Sequence, residues 1–167
     1  MNCHVHIIGI GSPFGDDRFG WAAAEALRQI AAVNAAPAGL IEISILDRPG
    51  PLLLTHWQNM DCVILLDAVR SGAAPGTWHR LDAHDLAGTG AQWSSHGFGI
   101  ASAIELARVL GNMPSRLLLR GMEADSVWTG HSLSPAVAAA LPFFVAEIAR
   151  EALVLADSAA PAAANWD

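Results

Sequence analysis

No run of basic residues crosses this sequence. Lys and Arg total 9 against 16 Asp and Glu, for a net charge of -7. Nothing here could track a phosphate backbone, which excludes nucleic acid as a partner. Long apolar runs are absent as well. The hydrophobic stretches are short and broken by Gly and Pro, and none approaches the roughly 20 residues that a membrane helix needs. Cysteine is scarce: Cys3 and Cys62 are the two present. Both fall in apolar, strand-like stretches, where a thiol behaves as a small hydrophobe. Two such cysteines build neither a disulfide framework nor a thiolate metal cluster, and they point to a reducing, cytoplasmic setting. The first residues lack the basic segment of a signal peptide and lead straight into an apolar strand.

What the chain does hold is apolar bulk. Hydrophobic residues make up 53% of 167 and charged residues 15%, enough to build a large core and too much for disorder. The pattern predicts one domain over residues 1–156 and a disordered Ala-rich tail over 157–167. Apolar runs at 4–10, 41–46, 62–66 and 116–119 read as buried strands. Residues 77–81, of mixed polarity, read as an edge strand. Between them, Phe19, Ala23, Leu27, Ile30 and Ala31 share one face of a helix predicted over 17–33. A short helix follows at 51–58. Ile100, Ile104, Ala107 and Leu110 mark a helix starting near residue 96. Ser134-Pro135 reads as an N-cap with proline at the first helical position. The last helix buries Val137, Leu141, Phe144, Val145, Ile148 and Ala152. Strands alternating with helices predict an α/β domain: three layers, a mostly parallel twisted sheet of about five strands, and helices on both faces.

In such sheets ligands bind outside the carboxyl ends of the strands. Asp16 and Asp17 follow the first strand, Asp67 closes the third, and His96 stands at the mouth of a helix after a Gly- and Ser-rich loop. Gly9-Ile10-Gly11 invites a dinucleotide-binding reading, but two carboxylates at the following helix start repel a pyrophosphate and attract a cation. Asp16 is expected to cap that helix, leaving Asp17 for other work. Asp67 taken alone reads as a turn or cap residue, and His96 alone as a helix-start residue bonded to backbone. Together, Asp17, Asp67 and His96 offer two carboxylates and one imidazole near one crevice. That set suits a divalent transition metal of the nickel, zinc or iron kind, with positions left open for substrate.

These residues, with their neighbours, resemble the hydrogenase maturation endopeptidases over nearly the whole domain. The shared pieces are Gly9-Ile10-Gly11 with Asp16-Asp17 and Gly20, Asp67-Ala68-Val69, Gly72, Pro75-Gly76-Thr77, Ser95-His96-Gly97, Gly121 with Glu123, and Leu133-Ser134-Pro135. The resemblance implies an endopeptidase that removes the C-terminal extension of a nickel-loaded NiFe hydrogenase large-subunit precursor. It implies that Asp17, Asp67 and His96 contact nickel carried in by the precursor, so that an apo precursor is spared. The metal then polarises the scissile carbonyl or activates water, or a carboxylate acts as general base. Ser12 and Arg18 depart from the family pattern. The segment Asp47-Arg48-Pro49-Gly50 replaces an Asp-Gly-Gly-Thr-like run that bears on which hydrogenase is recognised, which makes Asp47 a specificity candidate. A monomer is expected. A non-cleaving nickel-sensing chaperone would use the same three residues. A nucleotide-binding domain ranks below both.

Other candidates read as structural. His4 and His6 lie two apart, at the wrong end of their strand. His131 sits in a loop, and His56, His79 and His84 have no matching partners. Trp21 and Trp57 read as helix packing and Trp78 as an edge-strand residue. Trp93 and Trp128 fall in loops that could flank the crevice and meet an extended peptide, with packing as the default. Ser94 and Ser95 read as capping, since no Gly-X-Ser-X-Gly elbow is present.

Overall fold

The computed structural model describes residues 2–58, 60–83 and 99–158. The predicted tail beyond 158, together with His84, Trp93, Ser94, Ser95 and His96, lies outside the described residues. Among the described residues, no helix is long and apolar enough to cross a membrane.

Five strands form one sheet in the order β2-β1-β3-β5-β4. They are β1 (Val5–Gly11), β2 (Ile41–Asp47), β3 (Cys62–Val69), β4 (Trp78–Asp82) and β5 (Arg116–Glu123). The first three and β5 run parallel, and β4 is an antiparallel edge. The period of two along the buried strands assigns their side chains to two layers. Val5, Ile7, Cys62, Ile64, Leu66, Leu118 and Met122 pack on α1 (Phe19–Leu27) and α5 (Pro135–Asp157). Ile8, Ile10, Val63, Leu65, Leu117 and Leu119 pack on α3 (Leu53–His56) and α4 (Ile100–Val109). Helices thus cover both faces of a mostly parallel sheet, as the alternation predicts.

Three local departures have physical causes. The helix predicted over 17–33 breaks into a 3-10 turn at Gly15–Arg18, then α1, then α2 (Ala31–Asn34). Ile30 turns extended, and Asn34 Nδ2 donates to the Arg28 carbonyl at 2.8 Å, satisfying a carbonyl orphaned by the break. Strand β3 runs past Asp67 to Val69, because Asp67, Ala68 and Val69 remain in register with Gly121, Met122 and Glu123. Ser134 has the extended backbone of an N-cap but gives its own helix no side-chain bond; its hydroxyl is engaged elsewhere, as described below.

One buried ion pair ties the sheet to α5. Arg120 is almost fully buried, and its Nη2 and Nε meet the Glu151 carboxylate at 2.7 and 3.0 Å. Its Nη1 donates to the carbonyls of Leu81 and Leu119. Glu151→Ala leaves this buried guanidinium with the longer 3.5 Å contact to Asp82 as its remaining carboxylate partner among the described residues. Chemical denaturation is expected to show a loss of about 3–5 kcal/mol, with much of it recovered when Arg120→Met is added.

Candidate functional site

The strand order reverses at β1: its chain successor β2 lies on one side and β3 on the other. The carboxyl ends of β1 and β3 therefore flank the switch point where such sheets bind ligands. Glycines bring the helix side down onto this edge. A Cβ on Gly20 would sit 2.1 Å from the Ile10 carbonyl oxygen and 2.4 Å from that of Leu66. A Cβ on Gly9 would sit 2.3 Å from the Gly20 oxygen. The glycines that suggested a dinucleotide loop thus serve close helix–strand approach, and the helix they seat delivers a carboxylate to the edge.

That carboxylate is Asp17. Its backbone N–H donates to the Phe14 carbonyl, and its own carbonyl accepts from Ser12 N–H at 3.0 Å. Its Oδ1 lies 3.2 Å from Arg70 Nη2, one residue past β3. Asp67 belongs to the same strand row as Val63, Leu65 and Val69, the row facing α3 and α4. It is 8% exposed, and its Oδ1 accepts from Ala68 N–H at 2.8 Å. Burial pushes the Asp67 carboxyl up to about 8. The Ala68 bond opposes this, and the nearby Asp17 charge adds to it. A carboxyl held this way takes a proton near neutrality or receives a cation.

The structure therefore sets Asp17 and Asp67 at the same edge, within electrostatic reach of each other. The third candidate, His96, lies outside the described residues; in sequence it precedes by four positions the first residue of α4, which packs on the Asp67 face. Among the described residues, no three His, Cys, Asp or Glu side chains gather to hold a metal ion. Asp47 ends β2 at the same edge, opposite Gly11, and pairs with Arg48 at 2.6 Å. Arg48, the non-glycine residue found at positive φ (40°) among the described residues, lies within electrostatic reach of Asp17.

Several polar residues play other parts than the sequence suggested. Asp16 does not cap the helix after β1. Its buried carboxylate accepts from Ser134 N–H (2.6 Å), Ser134 Oγ (2.7 Å) and Asp125 N–H (2.8 Å). It fastens the 3-10 turn to the loop before α5, and the Ser134 hydroxyl is spent on it. His79 does have a partner: its Nε2 meets Glu123 Oε2 at 2.8 Å. His4 and His6 go to separate places. His4 bonds the Gly39 carbonyl, while His6 bonds the His56 carbonyl and Ser44. Trp21 and Trp57 pack as read, each donating to a backbone carbonyl.

Two site residues escaped the sequence reading. Arg70 is one; its signal was a cation placed directly after an apolar strand end. Glu123 is the other, present in the resemblance but without a role. Its carboxylate accepts from Ser71 N–H, Ser71 Oγ, Gly72 N–H and His79, which pins the loop that starts with Arg70. Burial alone would raise this carboxyl, but the donors from Ser71, Gly72 and His79 outweigh it and hold Glu123 below its ordinary value of 4.5. The stability this provides is full above the unfolded value and is lost as pH falls through the lower folded value. Thermal melts of Glu123→Gln are expected to show a loss of about 1–3 kcal/mol at neutral pH. The loss should shrink as the wild type is taken into acid.

Known proteins are similar to this chain in sequence and fold. The family model described as hydrogenase maturation protease, HycI, matches residues 42–151. The hydrogenase expression/formation protein HupD of Rhodobacter capsulatus is 34% identical over 88% of this chain and 70% of its own length. The HupD of Thiocapsa roseopersicina is 30% identical over 71% of this chain, which spans 53% of that protein. Among solved structures, the hydrogenase maturating endopeptidase HybD from E. coli superposes with a TM-score of 0.73 at 28% identity, covering 87% of this chain and 89% of its own. With the family model matched over 42–151 and the Rhodobacter capsulatus relative 34% identical along most of both chains, the chain belongs to the hydrogenase maturation protease family.

Proposed function

We propose that this protein is the endopeptidase that removes the C-terminal extension of a nickel-loaded NiFe hydrogenase large-subunit precursor, reading the client's nickel with Asp17, Asp67 and His96. The observation that carries the reading is the Asp17–Asp67 pair at the carboxyl ends of β1 and β3. Asp17 already has Arg70 as a partner, whereas Asp67, buried and within reach of the Asp17 charge, favours a proton or a cation on its carboxyl. The nickel is cargo, held by the client. When it docks, it offsets the burial of Asp67 and favours the ionised form. Next to that metal, a scissile carbonyl can be polarised or a water activated, with Asp67 also able to accept a proton. A precursor without nickel brings nothing to fill the crevice and is spared.

Asp47, ion-paired with Arg48 at the same edge, is the candidate for telling one large subunit from another. The two cysteines, free and buried, fit a reducing cytoplasm, and we take the working form to be a monomer. The test is incubation with nickel-loaded and apo precursor, followed by intact-mass spectrometry. Loss of the extension from the loaded form alone is expected with the wild type, and no loss with Asp17→Asn, Asp67→Asn or His96→Ala. Binding without any mass loss would make the protein a nickel-sensing chaperone. Equal cleavage of the apo precursor would end the metal-reading role.

A further inference from the structure

Three exposed apolar residues lie in the turn that carries Asp17 and in a loop fastened to that turn. Phe14 is 61% exposed, Val127 82% and Trp128 38%. Phe14 belongs to the turn that carries Asp17, and its carbonyl accepts the Asp17 N–H at 3.1 Å. Val127 and Trp128 belong to the loop between β5 and α5. The two segments are joined. Gly15 N–H donates to the His131 carbonyl at 3.2 Å, and the buried Asp16 carboxylate binds Asp125 and Ser134 at either end of the loop.

The Trp128 indole is held in place rather than left loose. Its Nε1 donates to the Ser132 carbonyl at 2.7 Å. It packs against Gly130, where a Cβ would sit 2.3 Å from the ring, and beside Gly15, where a Cβ would come within 3.6 Å of Cδ1. Two glycines make room for a ring that is nonetheless exposed. A core tryptophan would be covered, and a casual surface tryptophan would not be wedged so tightly. A fixed aromatic loses little entropy on meeting a partner, which is how binding anchors are built.

From this we propose that Phe14, Val127 and Trp128 form a platform for the client's C-terminal extension, which crosses it as an extended chain and sets an apolar side chain on the Trp128 ring. The occupant follows from continuity. A chain cut at the carboxylate pair must continue on one side of the cut, and the platform begins in the same turn as Asp17. The three platform side chains are uncharged and Asp125, which accepts the Val127 N–H, is the carboxylate beside them, so the platform takes an apolar side chain and not an acidic one. The proposal rests on the function given above.

The test compares two probes, the nickel-loaded precursor with its extension and the same subunit ending at the mature C-terminus. Trp128→Ala is expected to weaken binding of the extended precursor roughly 30-fold. KM should rise by a similar factor and kcat change little. Binding of the mature subunit should be unaltered, and Trp128→Phe should restore most of the loss. An unchanged KM overturns the platform. Equal weakening of both probes overturns the extension as its occupant, as does a wild-type dimer that Trp128→Ala dissociates. If Trp128→Ala fails to fold, Phe14→Ala carries the same comparison, since its ring is exposed. Asp67→Asn separates this proposal from the reading it rests on. Normal cutting by that variant would end the carboxylate mechanism and leave the binding result to stand or fall alone.

Discussion

Asp67→Asn is expected to melt at a higher temperature than the wild type while losing processing of the nickel-loaded precursor by roughly 10³-fold or more. Both effects arise from one buried carboxyl. In the native protein Asp67 holds its proton up to about pH 8, whereas in the unfolded chain it releases it near 3.8. Between those values the native state binds more protons than the unfolded state, so wild-type stability falls as pH rises through this window and levels off above it. Asparagine removes that slope and keeps an oxygen for the Ala68 N–H. In the presence of a chelator, the two proteins should be equally stable below about pH 4 and diverge up to pH 8. The gap should reach at most about 6 kcal/mol. Thermal melts across pH measure it directly. A variant that is less stable than the wild type at pH 8 would show that Asp67 is ionised and paired in the resting protein. On the proposed function, nickel arriving with the client is what makes the destabilising carboxylate worth keeping.

Gly20→Ala is expected to be the most damaging single-methyl change in the fold. The added Cβ would meet two backbone oxygens, from Ile10 and Leu66, at 2.1 and 2.4 Å. Neither can swing away as a side chain would, so the α1 end must lift from the sheet. Overpacking of this kind costs about 3 kcal/mol or more, which is roughly a 10 °C fall in melting temperature for a domain of this size. The lift starts three residues from Asp17 and moves it relative to Asp67. Processing assayed well below the new melting temperature should therefore still be impaired. A variant that melts lower but cuts normally would show that the α1 seat matters for stability alone.

Much of the fold was legible because period and punctuation are local. Apolar runs with alternating helices specify a parallel sheet, and a parallel sheet specifies where its ligand edge must be. Asp17 and Asp67 could be placed at that edge without coordinates. What escaped depends on partners far apart in sequence. Asp16 reaches Ser134 across 118 residues, Arg70 reaches Asp17 across 53, and Glu123 reaches His79 across 44. None leaves a periodic trace, so neighbouring residues alone suggest a cap, a surface position or no role for each of these polar side chains. Asn34 shows the same limit on a smaller scale. A side chain six residues downstream satisfies the Arg28 carbonyl and lets a helix end that the apolar face alone would have continued. His96 stays where the sequence put it, as a candidate argued from composition and resemblance.

The most direct test of the central claim is X-ray absorption at the nickel edge of the loaded precursor, recorded alone and then with the protein added in the cold before cutting. Participation of Asp17, Asp67 and His96 predicts new oxygen and nitrogen scatterers at about 2 Å, reduced or absent with Asp17→Asn and Asp67→Asn. A nickel spectrum left unchanged by wild-type protein that nevertheless goes on to cut the precursor would contradict it.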